Sequence, residues 1–163
     1  NGLAAIFSGT SSITVTVASG SLYGGGGTGN IFYLNGAANP PLTLVQGHTY
    51  TFDVSNSSVS GHPLAFKDSG GNAFTTGVTV IGTAGQSGAS VVITVPTTGT
   101  MPAQYYCTSH GNGMGNLIST IDNDIKTVAD NSANITTVAS NIGTIAQKAT
   151  VDEATALAIA LGG

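Results

Sequence analysis

From Ser12 to Ala18 the chain alternates, with Ile13, Val15 and Val17 to one side and Thr14 and Thr16 to the other. A period of two carried by β-branched residues predicts a half-buried strand. The signature returns at 30–34, which the Asn35-Gly36 turn closes, at 42–45, and at 48–54, where Tyr50, Phe52 and Val54 face inward. It returns again at 62–66, 90–95, 103–107 and 115–119, with a short strand or edge segment within 74–81. Gly, Asn, Pro and Ser clusters separate these runs. About eight short strands punctuated in this way predict an antiparallel β-sandwich over residues 12–118. Residues 1–11 carry little pattern and read as a connector.

From Ser119 the period of two disappears. Ile121, Val128, Ile135, Ile142 and Ala149 recur every seven residues, and Ile118, Ile125, Ser132, Ala139 and Ala146 precede them by three. Heptads of this kind predict a coiled-coil-like helical tail over 119–163, and Ile at the seams favours three strands over two. Val138 and Ile145 widen the stripe. The intervening Asn, Thr, Ser and Asp are poor helix formers, so the segment is expected to become stable only by association. A β-structured shaft competes, because Thr, Val and Ile also favour strands. Thr150-Val151-Asp152-Glu153 matches a capping box opening a last short helix at 154–161.

Only 6% of the 163 residues are charged, with three lysines and no arginine. That excludes electrostatic nucleic-acid binding, which needs clustered cations. No run of eighteen apolar residues predicts a membrane span. Asn1-Gly2-Leu3-Ala4-Ala5 lacks a Met and a basic segment, so it reads as part of a longer or processed polypeptide rather than a signal peptide. The glycines at 24–27 lack the Lys and following helix that phosphate binding needs. Nothing points to an enzyme. There is no Gly-x-Ser-x-Gly elbow, and Asp53 and Asp68 sit at a strand and a turn rather than as an acid/base pair.

The candidate chemistry lies in Tyr105-Tyr106-Cys107-Thr108-Ser109-His110-Gly111-Asn112-Gly113-Met114-Gly115, which holds the only cysteine, one of three histidines and one of two methionines. A thiolate, an imidazole and a thioether on one short loop suit copper. Ser60-Gly61-His62-Pro63-Leu64 offers the second nitrogen. His62, Cys107, His110 and Met114 together make a His2Cys set with a weak axial Met, the blue-copper pattern. One cysteine excludes an internal disulfide framework.

These stretches, with Val15-Thr16-Val17-Ala18-Ser19-Gly20, Phe32-Tyr33-Leu34-Asn35-Gly36 and Tyr50-Thr51-Phe52-Asp53, resemble the cupredoxin-like module of structural proteins from marine, cyanophage-type bacteriophages. Around the ligand loop the chain is similar to plastocyanin, with a spacing from His110 to Met114 one residue shorter. Asn134-Ile135-Thr136-Thr137-Val138-Ala139-Ser140-Asn141 resembles the repeats of phage tail-fibre proteins. The resemblance implies a Greek-key β-sandwich carried on an oligomerising tail. It implies a virion component, such as a tail fibre, an appendage or a capsid-surface protein, located in the extracellular particle. A homotrimer, other virion proteins and a host surface receptor are the implied partners, and copper the implied cofactor. A blue-copper electron-transfer protein and a subunit of an extracellular filament are the alternatives.

Overall fold

The computed structural model describes residues 5–7 and 11–161. Twelve strands form two six-stranded sheets among the described residues. In chain order they are β1 (Ala5–Phe7), β2 (Ser11–Ser21), β3 (Thr28–Leu34), β4 (Ala37–Ala38), β5 (Leu42–Val45) and β6 (Thr49–Asp53), then β7 (Leu64–Lys67), β8 (Ala73–Phe74), β9 (Val78–Ile81), β10 (Ser90–Thr94), β11 (Gln104–Cys107) and β12 (Gly111–Ile121). One sheet runs β1-β5-β12-β11-β7-β8 and the other β4-β3-β2-β6-β10-β9.

Alternation does what the sequence predicts. Ile13 and Val15 of β2, Tyr50 and Phe52 of β6, Leu64 and Phe66 of β7, Val91 and Ile93 of β10, and Tyr105 and Cys107 of β11 are all buried in one core. Both sheets contribute to it, in a sandwich-like arrangement. The rings of Phe52 and Phe66 meet edge-on across it at 5.5 Å, and those of Phe32 and Tyr105 lie 6.4 Å apart.

Three differences from the expected antiparallel sandwich concern the strands. Both sheets are mixed, because β1 with β5, β5 with β12, and β2 with β6 pair in parallel. Alternation reports which side chains face the core, and is blind to the direction of the neighbouring strand. Within the expected connector, Ala5–Phe7 forms β1 and pairs with Leu42–Leu44, while residues 1–4 and 8–10 lie outside the described residues. The last strand begins at Gly111 rather than Gly115 and runs past Ser119 to Ile121. Ile118, the first residue of one heptad series, is therefore a core residue opposite Leu42, and Ile121, the first of the other, pairs with Val45.

The chain divides into two compact units, Asn1–Asn123 and Asp124–Gly163. The second is built on one α-helix, α1 (Asn123–Ala160), of 38 residues. At 1.5 Å per residue it is about 57 Å long. The tail is helical, and the competing β-shaft falls away. It is also unbroken where the capping box was expected to start a new helix. Thr150 instead turns its hydroxyl back onto the carbonyl of Gln147 at 2.8 Å. The same back-bonding makes a ladder along the helix, from Thr136 to Ser132, Ser140 to Thr136 and Thr144 to Ser140 at 3.0, 3.0 and 3.1 Å. The hydroxyls that weaken helix propensity are satisfied by the helix's own carbonyls. No described helix is long and apolar enough to cross a membrane.

Candidate metal centre

Two connections bring the ligands together. The first leaves a short 3-10 turn, Ser57–Val59, and the His62 N–H donates to the Val59 carbonyl at 2.9 Å, two residues before β7. The second joins β11 to β12 through Thr108, Ser109 and His110. Gly111, at φ +83°, closes it in a conformation a Cβ would strain. The Thr108 N–H donates to the Pro63 carbonyl at 3.0 Å, which ties the two connections to each other. Cys107 also pairs directly with Leu64 across β11 and β7.

The result is a triangle of ligand atoms. His62 Nδ1 and His110 Nδ1 are 3.1 Å apart, and Cys107 Sγ lies 3.5 Å from His110 Nδ1 and 4.0 Å from His62 Nδ1. With these sides, the point equidistant from all three atoms lies about 2.1 Å from each. Metal–imidazole bonds run at about 2.0–2.1 Å and metal–thiolate bonds at about 2.3 Å. An ion therefore fits at the centre with shifts of a few tenths of an ångström. Among the described residues no other group of three His, Cys, Asp or Glu side chains could share an ion.

Burial is graded across the triangle: Cys107 is buried, His62 half-buried and His110 exposed. Burial and then the neighbouring His110 hold His62 below the ordinary histidine range. That favours the neutral ring, which is the form with a lone pair to give. The thiol must lose its proton to ligate, so metal binding here releases protons.

Met114, expected on the loop that carries Cys107 and His110, lies in β12. It is buried in the core that also holds Cys107. The pairing of β11 with β12 explains its place. Cys107 is opposite Gly111 and Tyr105 opposite Asn116, so the four residues 112–115 bow out against Tyr106 alone. The fold thus joins His62, Cys107 and His110 in one cluster and sets Met114 in the bow that follows.

Several residues that shape this bow carry no metal-ligand signature in the sequence. Asn39 is the one buried polar residue among those described. Its amide donates to the carbonyls of Gly115 at 3.0 Å and Gly113 at 3.4 Å, while Asn116 donates to its own carbonyl at 2.7 Å. The Tyr105 hydroxyl donates to Pro40 at 2.7 Å, and burial pushes that phenol far up, so it stays a donor. Lys67 lies over the Tyr106 ring, 4.4 Å from its centroid, and donates to Asn112 Oδ1 at 2.8 Å. On the far side of His62 the Asn30 amide stands 3.5 Å from Nε2. Asn39 has a left-handed backbone at φ +32°, a conformation that Asn tolerates, but its partners are more than seventy residues away.

A cysteine sulfur and two imidazole nitrogens in one triangle are ligands that suit copper or zinc. The chain matches no protein-family model, no curated protein and no solved structure.

Proposed function

We propose that this chain is a structural component of a bacteriophage particle, in which a cupredoxin-like, copper-holding sandwich is carried by a helix that assembles into trimers. The observation that carries the reading is the helix surface. Ile135, Val138, Ile142 and Ile145 are 67%, 55%, 60% and 66% exposed. Their spacing of three and four puts them on one face, opposite the hydroxyl ladder. Burying such a side chain is worth about 1.5–3 kcal/mol, so three helices meeting on this face gain far more than one helix alone. The resemblance of 134–141 to tail-fibre repeats, and of the strand and ligand stretches to the phage module, points to the particle. Other virion proteins and a host surface receptor are then its partners. Copper would act structurally, adding binding free energy to the folded state.

Light scattering on a sizing column tests this directly. The intact chain should elute at three times its 16.0 kDa mass, and a chain ending at Asp122 should elute as a monomer. A monomeric intact chain would overturn the assembly reading. A trimeric truncated chain would move the interface to the sandwich.

One observation favours a second reading, that of a one-electron carrier. Cys107 is buried while His110 is exposed, so one ligand ring reaches solvent. Reversible reduction and reoxidation without loss of copper would be its signature.

A further inference from the structure

His62 needs a particular tautomer to ligate through Nδ1. Its proton must then sit on Nε2, and that N–H must find an acceptor. The group facing Nε2 is the Asn30 side chain, from the start of β3, at 3.5 Å. That distance is the outer limit of a hydrogen bond. On the other edge of the ring, His62 Nδ1 faces His110 Nδ1 at 3.1 Å, so one of those two nitrogens carries a hydrogen when no ion lies between them. With the Asn30 NH2 turned towards Nε2, the consistent arrangement is Asn30 donating to Nε2 and His62 Nδ1–H donating to His110. An ion at the centre of the triangle displaces that Nδ1 proton. The ring must then hold its proton on Nε2, and the side-chain acceptor that faces it is the oxygen of the Asn30 amide.

We infer that Asn30 is a positioning residue for the metal centre, and that its amide rotates by half a turn when an ion binds. An amide has one donor and one acceptor end, so it can serve either tautomer, which neither a carboxylate nor an aliphatic side chain can do. Asn30 is exposed and reaches the site from the sheet that does not hold Cys107, so it fixes the ring without taking part in the core. This inference rests on the reading of the triangle as a metal site.

Two measurements test it and separate its failure from that of the metal reading. The first needs no metal. In 15N-histidine NMR at about pH 8, above the ordinary histidine range, wild-type His62 should be protonated on Nδ1. In Asn30→Asp, which can only accept, it should be protonated on Nε2. The second is a Cu(II) competition titration against a chelator. Asn30→Leu should bind roughly ten- to a hundredfold more weakly than wild type, as loss of such supporting partners does elsewhere. Asn30→Asp should bind at least as tightly as wild type. A leucine variant that binds as tightly as wild type, or a His62 tautomer that is the same in wild type and Asn30→Asp, would overturn the assignment. If wild type takes no copper, the metal reading fails, while the tautomer measurement still decides what Asn30 does to His62.

Discussion

At Gly115 the carbonyl of Tyr105 occupies the space that a Cβ would take. No other residue lets β12 pass this close to β11 at the end of the bow. Gly115→Ala must push backbone against backbone, which costs about 1–3 kcal/mol in a packed interior. Gly143, on the helix, has nothing within 4 Å of its added Cβ, so Gly143→Ala serves as a control. Urea unfolding of the sandwich should show a lower midpoint for the first variant and an unchanged one for the second. A Gly115→Ala protein as stable as wild type would mean the bow relaxes freely. At this scale the sequence reveals ligands but not their supports. His62, Cys107 and His110 are legible because thiolate and imidazole have few other uses in such a setting. Asn30, Asn39 and Asn116 act through hydrogen bonds to residues far along the chain, and an asparagine in a turn looks the same whether or not it has such a partner.

At the scale of elements, periodicity locates strands well and pairs them poorly. Leu42–Val45 is predicted to the residue, whereas β1 and β4, of three and two residues, are too short to show a period. Met114 lies in a strand that the sequence did not reveal, because the bowed segment of β12 is glycine-rich and looks like a loop. The helix shows the converse. The segment is helical as expected, but the first residue of each heptad series lies in the sheet, and a local capping signal at Thr150 yields to the continuing helix. On the proposed reading, a helix of poor intrinsic propensity with an exposed apolar face becomes stable by association. Far-UV circular dichroism of the intact chain should therefore gain helical signal as concentration rises, with the sandwich contribution constant. A helical signal independent of dilution down to the monomer would show that the hydroxyl ladder suffices by itself.

Across the whole molecule, the sandwich unit buries most of its described apolar residues, while the large apolar side chains described on the helix are exposed. The described residues of the sandwich form one continuous core, so the candidate metal site is expected to sit in a fold that does not depend on an ion. Cys107→Ser removes one ligand and little volume, and it should leave the sandwich folded. The helix contributes no such core among its described residues, and the proposed trimer is the reading that would cover its exposed apolar side chains. The ligand triangle is the one arrangement on the sandwich whose geometry points beyond packing. The most direct test is the visible spectrum of the purified chain on Cu(II) addition, with Cys107→Ser beside it. The account predicts an intense blue thiolate-to-copper band at one ion per chain in wild type, and none in Cys107→Ser despite native circular dichroism. A wild-type spectrum identical to that of Cys107→Ser would contradict it, because Cys107 would then not be a ligand to copper.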